Sequence, residues 1–252
     1  MYFIMASRNE LIGLIPQKAV WTEVGVYRGD FSQKILEVCD PSEVTLIDTW
    51  AYIADMHSPF PDISENYAAF SGKIHYEHFG INPSTTQDDN FKYVINRFEG
   101  DNRVKIVREE SYKAIMNSPD NYFDVMYIDA NHRYEYVLRD MMEARLKLKS
   151  GGIMLLNDFY EGPGGFEQNM GVMSAANTFV KRYDYSYLAM THGPYADAAL
   201  TDDPSSPFVK QFLTNLLDSE LTFIGINDAV VANTRYRHFK KRNGDLRYVA
   251  ML

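Results

Sequence analysis

Short, β-rich apolar runs recur along the first 160 residues, separated by segments that suit helices, which is the rhythm of βα units around a parallel sheet. The runs are Val20 to Val26 (VWTEVGV), Glu43 to Asp48 (EVTLID), Arg103 to Val107 (RVKIV), Phe123 to Asp129 (FDVMYID) and Gly152 to Asn157 (GIMLLN). Most are apolar on both faces, as strands covered by helices on two sides are. Between them Asp30 to Cys39, Ser111 to Met116 and Tyr134 to Lys149 read as helices. In the last of these Val137, Leu138, Met141, Met142, Leu146 and Leu148 fall at helical spacing, and Gly151-Gly152 is expected to stop it.

Two stretches break the βα rhythm. The first, about 51–100, is aromatic and His-rich and is interrupted by Pro59, Pro61 and Pro83. The second runs from Gly162 to Ser219. It holds a GPGG turn, helices expected over Val172 to Arg182 and Phe208 to Leu217, and between them a loop, THGPYADAALTDDPSSP. Insertions of this kind commonly shape a pocket. The chain therefore reads as one domain over 1–252, with insertions at about 51–100 and 184–218 lining the acceptor site. Leu221 to Ile226 and Ala229 to Ala232 flank Asn227-Asp228 and read as an antiparallel hairpin, and the tail adds a last strand after Asn243-Gly244.

Charge and composition narrow the classes of partner. Among 252 residues, 25 Lys and Arg face 34 Asp and Glu, a formal charge of -9. The mean field repels phosphates, so a small molecule is the expected partner and nucleic acid is not. The single cysteine, Cys39, allows neither an internal disulfide nor a multi-thiolate metal site and suits a reducing cytoplasm. The amino-terminal residues lack the basic start of a signal peptide, and no apolar run approaches the roughly 20 residues that span a bilayer. The expectation is a cytoplasmic protein without membrane contact.

The chemistry gathers where strands end. Glu23-Val-Gly25-Val-Tyr-Arg-Gly29-Asp-Phe-Ser32 joins a strand to a helix: Gly25 permits a turn with no Cβ in the way, and Gly29 permits close approach of a ligand or the sheet. Read alone, the turn is compatible with a plain βα connection. Asp48 at the tip of the next strand adds an acid where the hydroxyls of a ribose would lie, or else a turn cap. Asp129-Ala-Asn-His132 ends the fourth strand and Asn157-Asp158 the fifth, so all share one rim of a parallel sheet. Asp129, Asn157 and Asp158 are three oxygen donors of the kind that hold a hard divalent cation, and His132 is within reach as a general base. Singly, each also fits a helix cap or a surface histidine.

The runs EVGVYRGDFS, LIDTW, YIDANHRYEYVLRD and LKSGGIMLLNDF resemble successive signature segments of class I S-adenosylmethionine-dependent methyltransferases, most closely the macrocin O-methyltransferase-like and family 24 methyltransferases. The resemblance covers roughly residues 18–182, with the segment near 221–233 fitting the last two strands of that fold. It implies an α/β, Rossmann-like fold: a seven-stranded, mostly parallel sheet with an antiparallel terminal hairpin and helices on both faces. It further implies that Gly25, Gly29 and Ser32 line the methionine part of the cofactor, with Glu23 supporting its amino group and Asp129 beside it. Asp48 would bind the ribose, and Glu110-Ser111 would sit by the adenine. Asp129, Asn157 and Asp158 would hold a divalent cation such as magnesium, and His132 would be the catalytic base for O-methylation of a sugar or glycoside hydroxyl.

The sequence departs from that pattern in two places. Tyr27 stands where many such loops carry glycine, and Asn157-Asp158 offers one carboxylate fewer than the sugar-modifying relatives. A nicotinamide-dependent oxidoreductase is the nearest rival, but it calls for a middle glycine that this loop lacks. A non-catalytic S-adenosylmethionine-binding protein is the second. His57, His75, His78 and His192, with Tyr52, Tyr67, Tyr76 and Phe79, are candidates for substrate contact that singly also fit exposed, structural or core roles, and the apolar residues of the insertions suit a homodimer interface. Arg235, Arg237, Lys240, Lys241 and Arg242 form a basic run that reads as a solvated face or else as a holder of a phosphate or acidic sugar.

Overall fold

In a computed structural model of the chain, which describes residues 1–51, 83–160, 171–192, 196–227, 235–241 and 246–251, the apolar runs pair side by side. Strands β2 (Val20–Val24), β3 (Glu43–Asp48), β4 (Val104–Arg108), β5 (Phe123–Ile128) and β6 (Leu148–Leu156) are parallel, with Trp21 opposite both Val44 and Val125, and Met126 opposite Met154. Helices α2 (Asp30–Val38), α3 (Pro83–Arg97), α4 (Ser111–Asn117) and α5 (Tyr134–Lys147) connect them.

Side chains that alternate along each strand enter two separate cores. Val24, Met126, Ile128, Met154 and Leu156 pack with Ile115 of α4, Val137, Met141 and Ala144 of α5, and Met173 and Phe179 of α6 (Val172–Arg182). Trp21, Val125, Tyr127, Ile153 and Leu155 pack on the other face. Their partners are Leu11 and Ile12 of α1 (Arg8–Ile12), Ile35 of α2, Val94 of α3, and Val209 and Phe212 of α7 (Pro207–Asp218). Both faces are covered, which is why the runs are apolar at successive positions. Burying one such large side chain is worth about 1.5–3 kcal/mol, so a charge at Leu155 would separate the sheet from α7.

The sheet continues beyond β6. β8 (Ala198–Thr201) runs antiparallel to it, with Met154 opposite Leu200, and β7 (Ser186–Thr191) runs antiparallel to β8. β1 (Tyr2–Ile4) then pairs parallel with β7, and β9 (Phe223–Gly225) antiparallel with β1. The order is β4-β3-β2-β5-β6-β8-β7-β1-β9. The seven strands from β4 to β7 form the expected sheet, and β1 and β9 extend its edge.

Several details differ from the sequence reading. The antiparallel terminal pair is β7 with β8, not the segment 221–233: Phe223–Gly225 joins β1 instead, and Ala229 to Ala232 lie outside the described residues. Residues 198–201 read as loop because alanine has low strand propensity and the neighbouring Asp197, Asp202 and Asp203 look like turn residues, but pairing with β6 and β7 makes them β8. Gly151 and Gly152 lie inside β6 rather than after α5, and Gly151, at φ +74°, leaves room for Ser206, the N-cap of α7. The strand after Asn243-Gly244 is present as β11 (Leu246–Met251), paired with β10 (Arg235–Lys240). His57, His75, His78, the four aromatic candidates of the first insertion and the GPGG turn lie outside the described residues. Among the described residues no helix is long and apolar enough to cross a membrane.

Candidate active site

The polar residues singled out above meet at the carboxyl ends of β2, β3, β5 and β6. Gly25 has φ +94°, and a Cβ there would stand 2.0 Å from the Asp129 carbonyl oxygen, so the turn after β2 lies directly against the turn after β5. Gly29, at φ +74°, is the N-cap of α2, and the space a Cβ would need is taken by the Phe98 ring, 2.7 Å away. Its small size thus serves helix packing in this structure. Tyr27 keeps a left-handed backbone, φ +54°, in place of the expected glycine. Its N–H donates to Asp48 Oδ2 at 2.8 Å, and its carbonyl accepts from Trp50 Nε1 at 2.8 Å.

Asp48 organises this loop. Its carboxylate accepts from the N–H groups of Val26, Tyr27 and Trp50, each at 2.8 Å, which leaves about one of its four acceptor positions for a ligand. The Asp48 carbonyl accepts from Glu109 N at 3.0 Å, drawing Glu110 and Ser111, at the start of α4, to the same edge. Glu23 is 1% exposed and accepts a short hydrogen bond from Ser32 Oγ. Burial, more than the neighbouring Asp129 and Asp48, pushes its carboxyl well above the usual range despite the Ser32 hydroxyl.

Behind this loop His132 lies between two carboxylates. Nε2 is hydrogen bonded to Asp129 Oδ1 at 3.2 Å, and Nδ1 is 3.3 Å from Asp158 Oδ2. Burial is the largest single influence on the ring and lowers its pKa, but the Asp129 hydrogen bond and the Asp158 and Asp129 charges together carry it above the ordinary histidine value. Asp158 is itself raised, chiefly by burial, and its Oδ1 is buried without a hydrogen-bond partner among the described residues.

The expected metal set does not assemble as three oxygen donors. Asn157 turns its Nδ2 toward Asp129 Oδ1, at 3.0 Å, and its Oδ1 toward the Tyr127 hydroxyl, at 3.1 Å, while His132 fills the space between the two acids. Among the described residues no group of three or more His, Cys, Asp or Glu side chains is arranged to hold a metal ion. The residues as folded do not fit a divalent cation.

Three residues of the site escaped the sequence reading. Arg8, from α1, places Nη1 3.4 Å from both Asp129 Oδ2 and the Tyr127 hydroxyl. Tyr127 and Asp197 are fully buried, with the hydroxyl 3.3 Å from Asp197 Oδ1, and burial pushes Asp197 well above its usual range. No local motif marks them. Asp197 reads as a turn residue, Tyr127 as core, and Arg8 belongs to a short helix far away in sequence.

A mostly parallel sheet with an antiparallel terminal pair, a glycine turn after its central strand and an acid at the tip of the next define a class I methyltransferase. Residues 22–159, more than half of the chain, match the Methyltransf_24 model, described as a methyltransferase domain, and the chain belongs to that family. No curated protein matches the chain. The SMU.1697c protein of Streptococcus mutans in complex with SAH is similar at 10% identity and TM-score 0.48, over 78% of this chain and 98% of that one. The N-methyltransferase NodS of Bradyrhizobium japonicum WM9 is similar at 10% identity and TM-score 0.48, over 76% and 91%. An rRNA methylase of Streptococcus thermophilus is similar at 7% identity and TM-score 0.47, over 77% and 92%. Likeness at these identities and scores carries no information about the acceptor.

Proposed function

We propose that the protein is a cytoplasmic S-adenosylmethionine-dependent O-methyltransferase of a small hydroxylated acceptor, with a sugar or glycoside hydroxyl preferred to a phenol and His132 as the general base. The observation that carries this reading is the placement of His132, fixed by Asp129 beside the Gly25 turn. The donor supplies a methyl group on a sulfonium, which already has a good leaving group. The chain's own work is then to align an oxygen and remove its proton. Asp129, itself held by Asn157 and Arg8, fixes Nε2 of His132, and Nδ1, which faces Asp158 Oδ2 at 3.3 Å, must turn from that carboxylate to the acceptor hydroxyl to receive its proton.

The acids Glu23 and Asp129 would face the donor's amino group, with Ser32 supporting Glu23, and Gly25 and Gly29 would shape the turn beside it. The last acceptor position of Asp48 would take a ribose hydroxyl, and Glu110-Ser111 would flank the adenine. No step is routed through a divalent cation, because Asn157 and His132 occupy the donor positions it would use. Calorimetric titration with S-adenosylmethionine, followed by methyl transfer to a panel of glycosides, phenols, amines and RNA, tests the proposal. Transfer to the glycosides is expected; transfer confined to amines or RNA would overturn the O-methyl assignment, and binding without transfer to any of them would favour a non-catalytic role.

A further inference from the structure

Arg8 is the first residue of α1, and it is held there from two directions. Ser7 and Glu10 form a capping box, with Ser7 N donating to Glu10 Oε2 at 2.7 Å and Glu10 N to Ser7 Oγ at 3.4 Å. Just before it, β1 is paired on both edges. The guanidinium carbon lies 5.2 Å from the centre of the Phe31 ring, in the first turn of α2, and Nη1 meets Asp129 and Tyr127. The group therefore bridges α2, which follows the Gly25–Gly29 turn, and the end of β5, against which Gly25 packs.

Its own contacts use little of it. Both are 3.4 Å long and both fall on Nη1, whereas an arginine offers five N–H donors in a flat fork. Among the described residues Nε and Nη2 have no partner, and the side chain is 29% exposed. The surroundings are otherwise acidic: the Arg8 charge bears on Asp129, Asp158 and Asp197, and on Glu23 as well. An anionic group entering here is repelled unless a fixed cation receives it.

We propose that Arg8 binds the carboxylate of the methyl donor's amino-acid end, an inference that rests on the donor reading given above. That end is a zwitterion. Its ammonium suits Glu23 and Asp129, and its carboxylate needs a planar cation beside those same acids with a donor edge to spare. Arg8 supplies a two-pronged, charge-assisted contact of the kind that discriminates a carboxylate from its absence.

The test compares binding of S-adenosylmethionine with that of its decarboxylated form, which lacks only the carboxylate, to wild type, Arg8→Gln and Arg8→Lys. Wild type should prefer the intact ligand by about tenfold or more. Arg8→Gln should abolish that preference by weakening S-adenosylmethionine alone, with the decarboxylated ligand changed less than about threefold. Arg8→Lys keeps the charge and should fall between the two; if the glutamine variant fails to fold, the ligand ratio in the lysine variant decides by the same criterion. Equal weakening of both ligands, or no wild-type preference, overturns the assignment while leaving the donor reading intact. Failure of wild type to bind either ligand overturns both.

Discussion

Asp48 holds Tyr27 in a conformation that belongs to glycine. The 2.8 Å bond from Tyr27 N to Asp48 Oδ2, shared with Val26 N, fixes a backbone at φ +54° that costs a non-glycine residue about 1–2 kcal/mol. Asp48→Ala removes three backbone partners at once, so it should lower stability by about 2–4 kcal/mol and abolish donor binding. Asp48→Asn keeps acceptor oxygen and should recover part of the stability but little binding. Denaturant midpoints set beside calorimetric affinities separate the two effects, and full binding by the alanine variant would remove Asp48 from the donor site.

Gly25→Ala combines a positive φ with a 2.0 Å approach to backbone, which no rotamer change relieves. A loss of about 3 kcal/mol or more is expected. Urea unfolding measures it, and a change under 1 kcal/mol would show that the turn can open.

His132→Ala should lower turnover by roughly 100- to 1000-fold while donor affinity shifts less than about threefold. Steady-state kinetics with calorimetry on the same preparation checks this. Parallel loss of both quantities would make His132 a structural bridge between Asp129 and Asp158 rather than the base.

Magnesium, or EDTA in its place, should leave both the melting temperature and the turnover of purified protein within experimental error, because Asn157 and His132 tie up Asp129 and Asp158. A clear rise in turnover with the metal would mean that Asn157 and His132 rearrange to admit it.

Asp140, on α5 and 1% exposed, gives a pH signature in stability. Burial pushes its carboxyl from 3.8 to about 6, against the Ser111 hydroxyl and the Arg139 guanidinium. With the folded value above the unfolded one, the native state binds the extra proton, so this residue makes stability fall as pH rises from about 4 to about 6. At about 1.4 kcal/mol per unit, the cost at neutral pH is about 3 kcal/mol. Asp140→Asn should recover much of that at pH 7 and nothing below pH 4; stability curves for the two proteins that stay parallel across this range would refute the shift.

Much of the fold could be read because each parallel strand carries its signal locally. Val20–Val24, Glu43–Asp48 and Phe123–Ile128 are apolar on both faces and end on Gly25, Asp48 and Asp129, so strand and rim residue come together. What could not be read depends on partners distant in sequence. Tyr2–Ile4 is a strand only because β7 and β9 flank it, and Ala198–Thr201 only because β6 and β7 do. The site divides the same way. Asp129 and His132 are neighbours in the chain and legible together; Arg8 and Asp197 lie far from Asp129 on either side of it and are not. Asn157 was found, but its amide points to Asp129 and Tyr127, an orientation that no spacing encodes.

The place of β1 bears on how the protein comes to life. This strand fits between segments at 186–191 and 223–225, so it must wait until residue 225 has been synthesised before it has both neighbours. Contacts so far apart in sequence form late. Arg8 follows β1 directly and reaches Asp129 only once that strand is docked, so a nascent chain can build its central sheet and glycine turn well before its active site is complete.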